Sequence, residues 1–87
     1  MESTINHAAD EAKAVAAFGM KNPVRAIITK DVKTKLGLAF TAGTRVTVYE
    51  GGIIETGPYA GKMSYSAYSV RNACLTAIRP SHFKAGF

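Results

Sequence analysis

Residues 44–49 read T-R-V-T-V-Y, a strand-length stretch in which apolar and polar side chains alternate. Successive side chains of an extended chain point to opposite faces, so Val46 and Val48 share one face. The other face carries polar and aromatic side chains: Arg45, Thr47 and Tyr49. β-branched residues favour this extended conformation. The stretch therefore predicts a half-buried β-strand whose two valines belong to the core.

Three other runs have the same extended character: residues 24–29 (V-R-A-I-I-T), 63–70 (M-S-Y-S-A-Y-S-V) and 73–78 (A-C-L-T-A-I). Between them lie an irregular excursion at 30–41, a Gly- and Pro-containing loop at 50–62 and a tight turn at 70–73. Asn72 tolerates a left-handed backbone in that turn. Pro80 ends the last run because it has no amide hydrogen, and a short helical break and a final short strand follow. Leu75 and Ile78 complete the predicted core.

The first twenty residues have a helical pattern instead. Their apolar side chains form one narrow stripe of mostly small residues: Ile5, Ala8, Ala9, Ala12, Val15, Ala16 and Phe18. We expect an amphipathic helix over roughly residues 4–18, capped by Ser3, Thr4 or Asn6 and ended by Gly19. Two interpretations of this helix stay open. It lies over the following domain as a lid, or it docks as an arm on a different subunit.

The order of these elements predicts one small domain. Residues 1–20 form the helix or arm, and residues 21–87 form a curled five-stranded barrel. A chain of 87 residues is too short to divide its core. Because 47% of its residues are hydrophobic and 20% are charged, with no biased tract, the composition is globular rather than disordered.

Two pieces of the chain resemble an SH3-like barrel over roughly residues 24–84. Residues 42–48 (A-G-T-R-V-T-V) are similar to the family's K-G-D-x-L-x-V entry to its second strand, and residues 78–83 (I-R-P-S-H-F) to its I-P-S-N-Y ending. The resemblance implies a mainly β fold in which one N-terminal amphipathic α-helix precedes a five-stranded SH3-like barrel. It also places Pro80, His82 and Phe83 at the family's ligand-contacting positions. Small Trp-free proteins of this kind resemble accessory proteins of phages and mobile elements, either virion components or host-protein-binding factors.

The proline-peptide ligand of many SH3 domains does not suit this chain. There is no Trp for the platform of the groove, and Phe83 lacks the hydroxyl that the family usually offers at that place. The first long loop, acidic in peptide-binding members, here carries three lysines around Asp31: Lys30, Lys33 and Lys35. We therefore expect a partner other than a proline-rich peptide.

Charge divides the chain at the end of the helix. Residues 1–20 hold three acidic side chains and one basic one, a net charge of −2, and the remaining 67 residues carry +7. One interpretation places the acidic side of the helix against the basic barrel.

The function we expect is a non-enzymatic binding or assembly module, whose partner is another protein or copies of itself. The alternative is a nucleic-acid-binding barrel, in which Lys and Arg contact phosphates and Tyr rings stack on bases. Under either hypothesis the candidate partner-binding residues are the same: Lys30, Lys33, Lys35, Arg45, Tyr49, Tyr59, Tyr65, Tyr68, Arg71, Arg79 and His82.

We expect no catalysis, cofactor or metal. The single cysteine, Cys74, lies in a strand-like run and is interpreted as a small buried residue rather than a reactive thiol. His7 and His82, the two histidines, lie near opposite ends of the sequence, which leaves too few metal ligands. No nucleophile, base and orienting group occur together. Since the sequence has neither a run of about 20 apolar residues nor a secretory leader, we expect no membrane partner and an intracellular or virion location.

Overall fold

The computed structural model describes residues 7–86, with side chains from Ala9 onward. Helix α1 spans His7–Ala17 and is followed by strands only, apart from one turn of 3-10 helix at Pro80–His82. The strands are β1 (Lys21–Ile28), β2 (Val32–Thr34), β3 (Gly37–Phe40), β4 (Arg45–Ile53), β5 (Met63–Ser69), β6 (Cys74–Ile78) and β7 (Phe83–Ala85).

Five strands form one antiparallel sheet in the order β6-β5-β4-β1-β7, and β2 and β3 form a separate hairpin. Strands β4, β5 and β6 pair as successive neighbours, while β7 returns to pair with β1. The 3-10 turn thus carries the chain from a strand at one edge of the sheet to the strand at the other. The predicted mainly β fold with an N-terminal helix and a five-stranded sheet is confirmed.

The face of the sheet that packs against the β2–β3 hairpin is called the inner face, and it holds the hydrophobic core. The sheet contributes Ala26, Ile28, Val48, Ala67 and Ile78, and the hairpin contributes Val32, Ala39 and Phe40. Two of the predicted core residues, Val48 and Ile78, are buried there, and Val46 is partly buried against them. Leu75 was expected in the core but is half-buried on the opposite face, because it pairs with Tyr68.

The predicted irregular excursion at 30–41 is wrong in detail, since it contains the β2–β3 hairpin. The Thr34 hydroxyl closes this hairpin by accepting the Leu36 amide hydrogen at 3.1 Å and donating to the Gly37 carbonyl at 3.2 Å. Val32 and Phe40 turn inward while the lysines face solvent. Exposed lysines made the segment look like a loop, although its apolar residues supply much of the core.

Two strands are longer than the sequence suggested. Strand β1 begins before Pro23, and β4 continues through Gly51 and Gly52. A register shift interrupts each extension, between Lys21 and Val24 in β1 and between Glu50 and Gly52 in β4. Bulges of this kind accommodate a proline or a left-handed glycine without ending the strand.

The left-handed residue of the 70–73 turn is Ala73, with φ 54°, and Asn72 does not adopt that conformation. Asn72 instead fixes the turn in place. Its backbone amide donates to the Ser69 hydroxyl at 3.2 Å, and its side chain donates to the Thr34 hydroxyl at 3.3 Å. These bonds attach the turn to the β2–β3 hairpin.

The end of α1 agrees with the sequence. Gly19 adopts φ 63°, and the Met20 amide donates to the Val15 carbonyl at 3.0 Å. The predicted start at residue 4 and its caps Ser3, Thr4 and Asn6 lie outside the described residues. Much of the expected apolar stripe is exposed, and the Phe18 side chain is 71% exposed. The helix therefore buries little apolar area.

Candidate binding groove and basic surfaces

A groove of about 670 Å³ opens where β5 begins and β6 ends. We call it the groove throughout. Three segments converge there because β5 and β6 are antiparallel and the 54–62 loop precedes β5. Its walls are residues of that loop, of the two strands and of the 3-10 turn: Ile54, Tyr59, Lys62, Met63, Ser64, Tyr65, Ala77, Ile78, Arg79, Pro80 and Ser81.

One wall of the groove is a cation–π pair. The guanidinium carbon of Arg79 lies 3.3 Å from the centre of the Tyr59 ring. Tyr59 comes from the 54–62 loop and is 39% exposed, while Arg79 directly follows β6. A stacked guanidinium keeps the edges of its plane, which carry its N–H donors, directed away from the ring. The pair therefore presents an aromatic edge and a hydrogen-bonding cation together.

The base of the groove is held by contacts with the core. The rings of Tyr65 and Phe83 meet edge to face, with their centres 5.5 Å apart and an angle of 68° between them. This geometry matches the preferred arrangement of aromatic pairs. Tyr65 also pairs with Ile78 across β5 and β6. The aromatic side of the groove is thus connected to the inner face and is firmly positioned.

The 3-10 turn beside the groove is closed by His82. Its backbone amide donates to the Arg79 carbonyl at 2.8 Å, and its Nδ1 accepts the Arg79 amide hydrogen at 3.3 Å. The His82 carbonyl also accepts the Thr29 amide hydrogen at 2.8 Å. His82, predicted to contact a partner, is half-buried and is one of the residues that position Arg79.

The groove is electropositive. Its lining includes the cations Lys62 and Arg79 and contains no carboxylate. Apolar and aromatic side chains supply most of the remaining wall. Such a combination favours a ligand that carries both negative charge and apolar groups.

A second surface is the face of the sheet opposite the core, which we call the outer face. Register places its residues in rows across the strands. Arg25 on β1 pairs with Thr47 on β4. Since Val48 pairs with Ala67 in the antiparallel β4–β5 pair, Thr47 lies opposite Tyr68, which is the third residue of this row. An adjacent row runs Lys84, Ile27, Arg45, and Tyr49 lies in the row on the other side. Cations therefore lie beside two tyrosines that are diagonal neighbours.

Helix α1 covers the tyrosine end of the outer face. The Tyr49 hydroxyl donates to a carboxylate oxygen of Glu11. Desolvation, and then this hydrogen bond and the charge of Glu11, raise the pKa of Tyr49 to about 12. Burial also raises the pKa of Tyr68, with smaller effects from the negative charges of Asp10, Cys74 and Glu11. Tyr68 is 8% exposed, so its ring is buried in this structure, and its role in partner binding stays a prediction.

A third surface, the tip, lies at the far end of the β5–β6 hairpin. Because Asn72 bonds to Thr34, the 70–73 turn and the β2–β3 hairpin lie side by side there. The tip gathers exposed cations and exposed apolar side chains: Lys33, Lys35, Leu36, Val70 and Arg71. The seven residues of β5 separate the tip from the groove by about 20 Å at the usual rise per residue.

The candidate partner-binding residues thus separate into groups. The groove contains Tyr59, Tyr65 and Arg79; the outer face contains Arg45, Tyr49 and Tyr68; the tip contains Lys33, Lys35 and Arg71. Lys30 is exposed after β1 and belongs to none of them, and His82 positions Arg79.

Sequence reasoning missed several charged residues of these surfaces, among them Lys62, Arg25, Lys84 and Glu11. The charge of Lys62 beside strand β5 and the acidic first turn of the helix were the available signals. Neither of these two signals predicts which residue lies next to Lys62 or Glu11 in the fold, because those neighbours are distant in sequence.

No protein-family model, no curated protein and no solved structure matches the chain. No helix within residues 7–86 has the length and apolar character needed to cross a membrane. Among the described side chains, His, Cys, Asp and Glu nowhere gather in a group of three that would hold a metal ion. The chemistry of the groove, the outer face and the tip is therefore the basis for a functional proposal.

Proposed function

We propose that this chain is a small SH3-like barrel that acts as a non-enzymatic binding module, and that an acidic, partly apolar segment of another protein binds in the groove. The observation that carries the proposal is the groove itself, with stacked Arg79 and Tyr59 and with Lys62 in a largely apolar wall. The sheet order and the 3-10 turn between β6 and β7 support the SH3-like part.

The preference for an acidic segment follows from the charges. Lys62 and Arg79 would attract carboxylates and repel lysines or arginines of a ligand. Tyr65, Ile78 and Pro80 would receive apolar side chains between those charged contacts. The position of this groove beside the 3-10 turn is consistent with the ligand-contacting ending implied by the SH3 resemblance, although the ligand charge is reversed.

The proposal is tested by titrating the isotope-labelled full chain with a short peptide of alternating Glu and Leu. Peptides in which Lys replaces Glu, and a proline-rich peptide, serve as comparison ligands. We expect the acidic peptide to shift the backbone signals of groove residues such as Tyr59, Lys62 and Ala77, and the other two peptides to shift them less. An acidic peptide that leaves these signals unchanged would contradict the proposal.

The contribution of the cation–π pair is measured with Arg79→Lys, which keeps the charge but loses the planar stack. Affinity for the acidic peptide should fall about fivefold, in line with a cation–π contribution near 1 kcal/mol. Arg71→Lys is the matched control, because Arg71 is exposed in the 70–73 turn and away from the groove. Equal losses of affinity in the two variants would show that Arg79 does not contribute to the binding site.

Two expectations from the sequence stay predictions. A role as a virion component or host-protein-binding factor is one of them, and assembly of several copies is the other. Size-exclusion chromatography with light scattering would test the second: a multimer at micromolar concentration is the expected result for an assembly protein. The alternative function, nucleic-acid binding, concerns a different surface, the outer face.

A further inference from the structure

The contact between α1 and the outer face is unusual for a helix that stabilises a domain. The helix leaves apolar side chains in solvent, among them Ala12, Ala16 and Phe18, while its carboxylates approach the sheet. Side chains that are small or stay exposed contribute little to stability, because the hydrophobic free energy scales with the apolar area removed from water. One specific contact in this interface is the Tyr49–Glu11 hydrogen bond.

The outer face beneath and beside the helix has the residues of a nucleic-acid surface. A cavity of about 340 Å³ next to the helix is lined by two cations, by Glu11 and by polar, aromatic and apolar side chains: Arg25, Arg45, Val46, Thr47, Tyr68 and Val70. Lys84 extends the cationic row across β7. Aromatic rings beside a cationic track are the arrangement by which small barrels bind single strands, since bases stack on rings and phosphates meet cations.

We infer that the outer face is a binding surface for single-stranded nucleic acid, and that helix α1 covers it and competes for it through Glu11 and Asp10. In the covered state the Glu11 carboxylate takes the place of a phosphate near Arg25 and Arg45, and the helix blocks stacking on Tyr49 and Tyr68. Release of the helix exposes both rings and removes the competing negative charge. This surface is separate from the groove and does not depend on the function proposed for it.

A nucleic acid fits this surface better than an acidic peptide. The two tyrosines are diagonal neighbours on the outer face; Arg25 lies in the row of Tyr68, and Arg45 and Lys84 lie in the adjacent row. A strand of nucleic acid alternates a planar base with a phosphate and uses both features, whereas a peptide of acidic residues alone uses only the cations. The negative charge of residues 1–20 against the strongly positive remainder is consistent with internal competition.

The test measures fluorescence anisotropy of a labelled oligothymidylate of about 15 nucleotides with the full chain at about 50 mM salt. Glu11→Gln should tighten binding about fivefold or more, the lower end of typical coupling between competing contacts. Glu55→Gln is the matched control, because it removes the same charge from an exposed position in the 54–62 loop. Its affinity should stay within about twofold of the parent, as expected for a change in net charge alone.

Two further variants keep the test independent of folding. Tyr49→Phe retains the ring and loses only the hydrogen bond to Glu11, so it should also tighten binding. Arg25→Gln should weaken binding more than Arg71→Gln, which makes the same change at the tip. Circular dichroism confirms that each variant is folded before its affinity is compared.

Equal affinities for Glu11→Gln and Glu55→Gln would overturn competition by the helix. Equal losses for Arg25→Gln and Arg71→Gln would overturn the outer face as the site. A polyglutamate peptide that binds the Glu11→Gln variant as tightly as the oligonucleotide does would show that stacking plays no part. The surface would then be one for an acidic protein segment, and the inference of nucleic-acid binding would be wrong.

Discussion

The two faces of the five-stranded sheet are covered by different means. The inner face packs against the β2–β3 hairpin through apolar side chains such as Ile28, Val48 and Phe40, each no more than 3% exposed. The outer face meets a helix of mostly alanine, and the contact that defines this interface joins a tyrosine to a carboxylate. One cover is part of the core, and the other includes a hydrogen bond between polar side chains.

The difference separates the packing that stabilises this small domain from the surface that we propose binds a ligand. Apolar packing on the inner face contributes most of the stability, because removing those side chains from water is the dominant favourable term. The outer face contributes less and is held by contacts that solvent or a ligand replaces at modest cost. A surface of that kind suits regulated binding, whereas a surface like the inner face does not open without unfolding.

Ile28→Ala gives the largest expected effect. The side chain is 1% exposed at the centre of the inner face, so its truncation leaves a cavity and should lower the free energy of unfolding by about 2–5 kcal/mol. Chemical denaturation followed by circular dichroism measures the change. Ile53→Ala is the control, since that residue is 58% exposed and its truncation should cost about 0.5 kcal/mol or less. Similar losses at the two positions would contradict the assignment of the core.

Ser69→Ala should have an intermediate effect. The buried Ser69 hydroxyl donates to the Ala39 carbonyl at 3.0 Å and accepts the Asn72 amide hydrogen, and so connects the sheet to the β2–β3 hairpin. Removing it leaves buried polar groups without a partner, at a cost of about 1–3 kcal/mol. Ser66→Ala, on the outer face, should cost clearly less in the same denaturation experiment. If Ser69→Ala left the free energy of unfolding unchanged, the β2–β3 hairpin would be positioned by apolar contacts alone.

Tyr49→Phe should have the smallest effect on global stability, about 1 kcal/mol or less for one hydrogen bond at a partly exposed site. Hydrogen exchange would show faster exchange of the α1 amides, with the amides of Ile28 and Val48 unchanged. Equal acceleration in the helix and in the core would indicate that the outer face is as important for folding as the inner face.

The same residue makes stability depend on pH in the alkaline range. The folded protein holds the Tyr49 proton more tightly than the unfolded chain, because its pKa is raised from 10.0 to about 12. This contribution to stability is therefore complete below about pH 10 and is lost as the pH rises towards about 12. Absorbance of tyrosinate should show a late-titrating phase that decreases in Tyr49→Phe. If the amplitude of this phase were unchanged in Tyr49→Phe, its assignment to Tyr49 would be wrong.

Much of the sheet could be predicted from local sequence. Alternation in residues 44–49, Pro80 after the fourth run and Gly19 after the helix each act within a few residues, so their effects were visible in the chain. The β2–β3 hairpin was missed because its lysines mask an apolar pattern that only becomes clear when Phe40 meets the core. The groove was partly predicted, with Tyr59, Tyr65 and Arg79, and Lys62 was missed.

The sequence by itself determined the strand runs of the five-stranded sheet, the helix and the unequal distribution of charge, because these depend on side-chain type and spacing along the chain. Only the tertiary structure decided which charges meet. Arg79 stacks on Tyr59 across 20 positions of sequence, and Glu11 accepts a hydrogen bond from Tyr49 across 38. Such partners are chosen by strand register and by the path of the loops. Those depend on packing of the whole chain, which no short stretch of residues specifies.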